Sequence, residues 1–302
     1  MADPLPPARE RPDAVVLSNP RSDRVRAVRR LSARSARSAR RREGGFVVEG
    51  PQAVTEAVVA HADALSAGRR GLLLAVYATA DAAERHAGVL AVATAGGCPP
   101  RIATPEVLAA MGDTVTPQGL LAVCRLVDVP LSRVLGGPPR LVAVLAHVRD
   151  PGNAGTVLRA ADAAGADGVV VTDASVDVHN PKAVRASAGS LFHLPVTTGV
   201  PLADAVTALR RAGLAVLAAD VAGGEDLDHL QDAADRGAGP LAGPVAWVFG
   251  NEAWGLPDEA LGDVDAVVRV PVHGRAESLN LATAATVCLY ATARAHRRLH
   301  SP

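Results

Sequence analysis

The chain has 302 residues, 49% of them hydrophobic, and balances 31 basic against 31 acidic side chains. That length and apolar content suffice for two domains with buried cores, which excludes a disordered chain. No run of about 18 apolar residues is present, the start "MADPLPPARERPD" lacks a basic-then-apolar leader, and Cys98, Cys124 and Cys288 form no C-x-x-C pair, so neither a membrane span, export, a disulfide framework nor a metal site is expected, and a cytoplasmic location is.

In chain order, residues 1–13 read as a disordered head. Charge is then unevenly placed: ten arginines and one acid, Asp23, lie between Arg21 and Arg42. Such a basic segment suits RNA phosphates, with Arg24, Arg29, Arg37, Arg40, Arg41 and Arg42 as the expected contacts. "GGFVVEG" (44–50) reads as a strand. "PQAVTEAVVAHADAL" follows as a helix, with Pro51 at an allowed first-turn position. Strand and helix signals then alternate through "GLLLAVYA" (71–78), "CPPRIAT" (98–104), a short helix from Pro105 to Met111, and "GLLAVCRL" (119–126). Residues 14–126 thus form a small α/β domain, and the Gly- and Pro-rich stretch 127–139 reads as a linker.

From 140 to 302 the alternation restarts. "LVAVLAHV" (141–148), "GVVVTD" (168–173), "LAVLAAD" (214–220), "VAWVFG" (245–250) and "AVVRVPV" (266–272) read as strands, most of them separated by helical segments. This implies a mostly parallel sheet covered on both faces. The stretch "GGEDLDHLQDAADRGAG" (223–239) reads as an acidic, solvent-exposed loop.

Three places carry candidate chemistry. In "HVRDPGNAGTVLRAADAAG" (147–165) a strand turns into a helix whose N-terminus suits an anion, with Asn153 as the expected cap and Arg159 further along the helix. The turn lacks G-x-G-x-x-G, which argues against a nicotinamide cofactor. In "VFGNEAWGLP" (248–257) a hydrophobic strand ends at Gly250, followed by Asn251, Glu252 and Gly255. In "VPVHGRAESLN" (270–280) another strand ends before Ser278 and Asn280 at a helix start, either of which can cap the helix. Ligands bind at strand C-termini in such sheets, so the three stretches point to one shared pocket. His296 and His300 share a helix face but have no carboxylate or cysteine partner nearby.

"N-x-G-x-x-x-R" (Asn153, Gly155, Arg159), "F-G-N-E-x-x-G-L" (Phe249 to Leu256) and "V-P-x-x-G-x-x-x-S-L-N" (Val270 to Asn280) resemble, in order and separation, the three motifs of the SpoU-type RNA ribose 2′-O-methyltransferases. The resemblance covers about 140 to 298. The N-terminal half, through "SNPRSDRVRAVRRL", "FVVEGPQAV" and "TPQGLLAV", more loosely resembles the ribosomal-protein-like RNA-binding domain carried by many members. The resemblance implies a trefoil-knotted α/β methyltransferase domain, S-adenosylmethionine bound at the knotted loops, a homodimer, and an RNA substrate, ribosomal or transfer RNA, with ribosomal RNA favoured. It further implies that Gly250, Val270 and Leu279 contact the cofactor and that Asn153, Arg159, Glu252, Ser278 and Asn280 form the catalytic group. The alternatives are a non-catalytic RNA-binding or ribosome-assembly protein on this fold, and a knotted base methyltransferase.

Overall fold

A computed structural model describes residues 16–251, 255–256 and 262–299. The head 1–13, Glu252 and His300 lie outside the described residues. The chain divides into two compact units, one of residues 1–127 with 179–192, the other of 128–178 with 193–302.

The first unit is built on four strands, β1 (Gly45–Glu49), β2 (Leu73–Ala78), β3 (Pro100–Ile102) and β4 (Leu120–Arg125), in the order β1-β4-β2-β3. Both neighbours of β4 run antiparallel to it, and β3 runs parallel to β2. Side chains alternate between the faces. Val47, Tyr77, Leu121 and Val123 share a cluster with Val25, Val28 and Leu31 of α1 (Asp23–Ser32) and with Val107 and Met111 of α6 (Pro105–Met111). The arginine segment is therefore two helices, α1 and α2 (Arg37–Glu43), with α1 burying an apolar stripe at positions 25, 28 and 31. Helix α3 (Pro51–Ser66) packs on β1 and β4, burying Val54, Ala57 and Val58.

Residues 179–192, which the strand–helix alternation assigns to the second domain, pack in this first unit. Their helix α9 (Pro181–Ser187) lies against β1. Phe46 of β1 takes the rings of His179 and Phe192 at centroid distances of 4.8 and 6.1 Å, and Arg185 pairs with Glu49 (3.3 Å) and Asp113 (3.4 Å). Strand alternation reports which elements exist, and it is silent on which neighbour an individual helix buries its face against.

The second unit carries seven strands: β5 (Leu141–Leu145), β6 (Gly168–Thr172), β7 (Val196–Val200), β8 (Ala215–Ala219), β9 (Glu225–Asp226), β10 (Val245–Phe249) and β11 (Ala266–Arg269). Their order is β7-β6-β5-β10-β8-β11-β9, and every recorded pairing is parallel. Helix α10 (Leu202–Arg211) covers one face through Ala205, Val206 and Leu209. Helix α8 (Pro151–Ala164) and the long helix Leu281–Leu299 cover the other, where the buried Trp247 indole donates to Thr292 Oγ1 at 2.8 Å.

Two stretches read as loops are structured here. Residues 127–139 hold a helical turn, α7 (Leu131–Val134), whose Val134 is buried in the sheet core, and the Val129 N–H donates to the Val196 carbonyl. The acidic stretch 223–239 forms β9 and helix α11 (Leu227–Asp235), which buries Leu227, Leu230 and Ala234. Its apolar residues fall at i, i+3 and i+7, a helical stripe outnumbered in the sequence by the carboxylates around it.

Candidate active site

Strands β10, β8 and β11 end at the same edge of the sheet, and their C-terminal residues open on a cavity of about 640 Å³. That volume lies within the roughly 300–1,000 Å³ usual for small-molecule and cofactor sites. Gly250 follows β10 and Val270 follows β11. Leu279, Ser278 and Asn280 come from the segment that leads into the long helix, and all five residues line the cavity.

The loop after β10 is tightly closed. Asn251 N–H donates to the Gly255 carbonyl at 2.8 Å, and Gly255 N–H returns a bond to the Asn251 carbonyl at 2.9 Å. A Cβ on Gly250 would stand 2.6 Å from the Gly255 carbonyl carbon, so position 250 tolerates no side chain while this closure lasts. Asn251, itself buried, donates through Nδ2 to the His147 carbonyl at 3.1 Å and so ties the end of β10 to the residues after β5. His147 adopts φ 60, a left-handed conformation uncommon for a residue with a side chain.

One helix start differs from expectation, and at the other the structure chooses between the two expected caps. Asp150, not Asn153, caps α8: its Oδ1 accepts from the Asn153 N–H at 2.9 Å. The long helix is capped by Asn280, whose Oδ1 accepts from the Ala282 and Thr283 N–H groups at 2.9 and 3.4 Å. Asn280 then spends its other end on Asn153, donating from Nδ2 to Oδ1 at 3.2 Å. The Ser278 hydroxyl makes no hydrogen bond among the described residues and is exposed at the cavity wall. Both polar residues at this junction line the cavity, but Asn280 is committed to the helix and to Asn153, while the Ser278 hydroxyl is committed to no described residue.

Arg159 lies on the exposed side of α8, six residues beyond Asn153, with no partner among the described residues and outside the cavity lining. The structure thus brings Asn153, Ser278 and Asn280 together with the cavity and leaves Arg159 apart from it within one chain. The arginine segment divides as well. Arg41 and Arg42 are exposed, but Arg40 is 1% exposed and donates to the carbonyls of Leu31, Ala33 and Arg34 at 2.9, 2.8 and 3.4 Å. Arg40, expected among the RNA contacts, is instead buried, and its guanidinium satisfies the carbonyls around the α1–α2 turn. Arg29 donates to the Gly112 carbonyl, and Arg24 and Arg37 are partly buried.

All three cysteines are buried, and burial pushes each thiol pKa up, that of Cys288 to about 12. None is poised as a thiolate nucleophile. His296 donates from Nε2–H to the Gly243 carbonyl at 2.8 Å. Sequence reasoning gave no role to Asp220, which closes β8 and lines the cavity. The signal available was a carboxylate at a strand C-terminus followed by glycines.

A family model described as the SpoU rRNA Methylase family matches residues 140–290, spanning all three motifs. The chain belongs to the SpoU rRNA methylase family. Among SpoU relatives it is similar to the 23S rRNA (guanosine(2553)-2′-O)-methyltransferase RlmP of Bacillus subtilis, 35% identical over 185 residues, 61% of this chain and 68% of that protein. It is also 33% identical over 194 residues to the 23S rRNA (uridine(2479)-2′-O)-methyltransferase of Streptomyces viridochromogenes, 63% of this chain and 65% of that protein. Among solved structures, an AdoMet-bound rRNA methyltransferase from Sinorhizobium meliloti matches with a TM-score of 0.76 at 27% identity, covering 95% of this chain and 99% of that one. The SpoU methyltransferase AviRb from Streptomyces viridochromogenes, in complex with AdoMet, matches with a TM-score of 0.74 at 29% identity, covering 93% and 100%. This SpoU chain is a methyltransferase that uses S-adenosylmethionine to methylate an RNA ribose 2′-hydroxyl. The cavity fits that cofactor, since it lies at the strand ends, approaches bare backbone at Gly250 and holds polar groups at one rim.

Proposed function

We propose that the chain methylates ribosomal rather than transfer RNA, in the cytoplasm and as a homodimer, with residues 14–126 holding the substrate. The supporting observation is the cavity at the sheet edge with Ser278 and Asn280 on its wall and Asn153 hydrogen-bonded to Asn280. The names of the two relatives, both acting on 23S rRNA, favour ribosomal RNA. No described helix is long and apolar enough to cross a membrane. The long helix exposes Val287 and Tyr290, apolar surface that suits a second copy. The insertion of β10 between β5 and β8 supports the trefoil knot that the family resemblance implies.

In this reading Gly250, Val270 and Leu279 hold the cofactor, largely through backbone. When bound, the cofactor supplies an electrophilic methyl group on a sulfonium. The chain's own tasks are to aim the ribose hydroxyl at that methyl in line and to help remove its proton. Ser278 and Asn280, with Asn153 and Glu252, position the nucleotide. Arg159 stabilises the developing alkoxide and an adjacent phosphate, which takes the proton, because a guanidinium is itself a poor base. Arg159 lies outside the cavity lining of its own chain, so in a homodimer it serves the partner's cavity.

The position of the methyl group tests this. A ribose 2′-hydroxyl is the group through which alkali cleaves the adjacent phosphodiester, so methylation leaves one resistant bond. RNA treated with the protein and labelled cofactor is expected to yield, after complete alkaline digestion, label in a dinucleotide. Label in mononucleotides would identify base methylation. Cofactor binding without incorporation into ribosomal RNA or its assembly intermediates would identify a non-catalytic RNA-binding protein.

A further inference from the structure

Among its described lining residues the cavity has one charged group that none of the three motifs includes, Asp220. Asp220 ends β8 in a turn of its own making: Oδ1 accepts from the Ala222 N–H at 2.9 Å, and the Asp220 carbonyl accepts from Gly223 at 3.1 Å. Oδ2 has no hydrogen bond among the described residues. It is aimed across the cavity edge at Gly255, where a Cβ would stand only 2.4 Å from it. Gly255 has φ +69, so glycine at that position meets two demands, a left-handed backbone and room for the carboxylate. The only other ionisable side chain among the described cavity-lining residues is Glu277; no lysine, arginine or histidine is among them. Among the described residues, the half-buried Asp220 therefore keeps one carboxylate oxygen uncompensated at the cavity wall, where attraction to a cation is screened less than in bulk water.

We propose that Asp220 selects the occupant of this cavity by charge, favouring cationic S-adenosylmethionine over the neutral S-adenosylhomocysteine left after transfer. The inference rests on the cofactor reading above. In the transfer the bond from sulfur to the methyl carbon breaks with its electron pair kept by sulfur, the bond from the ribose oxygen to that carbon forms, and the hydroxyl proton leaves. Sulfonium becomes thioether, and the net charge of the bound molecule falls from +1 to 0. A fixed carboxylate thus holds the substrate form more firmly than the product form, and its attraction lapses at the moment the product must depart.

Isothermal titration calorimetry on the full chain with each of the two compounds tests this. Asp220→Asn retains the Oδ1 acceptor of the turn and removes only the charge; Asp220→Ser keeps a hydroxyl acceptor there and serves if the amide disturbs the loop. Either variant is expected to weaken S-adenosylmethionine binding about tenfold while leaving S-adenosylhomocysteine affinity unchanged, with the unliganded melting temperature preserved. Equal weakening towards both compounds, or none, overturns the charge-selection proposal and leaves the cofactor assignment standing. A wild-type chain that binds neither compound overturns the cofactor assignment and this proposal with it.

Discussion

At the scale of single residues, Asn280 does two jobs with one amide, and substitution separates them. Asn280→Asp keeps the acceptor that caps the long helix but replaces the donor towards Asn153 with a second acceptor. It is expected to hold stability near wild type while lowering kcat. Asn280→Ala loses the cap as well, at about 0.5–2 kcal/mol in denaturant unfolding. Equal kcat in wild type and Asn280→Asp would remove the pair from the catalytic group. Arg159→Ala is expected to lose turnover with cofactor affinity retained, and Arg159→Lys to leave it unrescued, since a point charge does not replace a planar fork. Steady-state rates beside calorimetry check both. Which of Ser278 and Asn280 caps the helix was not legible in the sequence, because both residue types suit an N-cap and only the backbone path decides. Asp150 was passed over for Asn153 for the same reason. Asp220 was hidden more deeply: its surroundings depend on Gly255, thirty-five positions away in sequence.

At the scale of elements, the arginine segment shows how far composition reaches. It reads correctly as a dense basic stretch, but the fold turns one of its members inward. Arg40→Ala is expected to destabilise the first unit by about 2–4 kcal/mol, because three carbonyls lose a charged donor in a buried setting. Replacing the exposed Arg41 and Arg42 with Ala is expected to leave stability unchanged and to reduce the slope of log affinity against log salt by about 1.4 for single-stranded RNA, at about 0.7 per phosphate contact. Denaturant melts and filter binding across a salt series separate the two. An unchanged slope would place RNA binding elsewhere. Acidic residues misled in the opposite direction at 223–239, where a carboxylate-rich surface masked the buried stripe of Leu227, Leu230 and Ala234.

At the scale of the whole molecule, the strand–helix alternation gave the fold class, and the three motifs gave the family. The order of strands lay beyond both, because pairing joins segments far apart in the chain and leaves no local periodicity. In that order β10 stands between β5 and β8, five residues in register with each. Without β10, β5 would present an open edge and β8 would lack the neighbour that joins it to β5, β6 and β7. Parallel edges of this kind invite wrong pairings. Residues 245–249 close both edges together, and Gly250 and Asn251 follow without interruption. The strand that unites the two halves of the sheet thus leads directly into the cavity wall, so the joining of the sheet and the placing of Gly250 and Asn251 are one event.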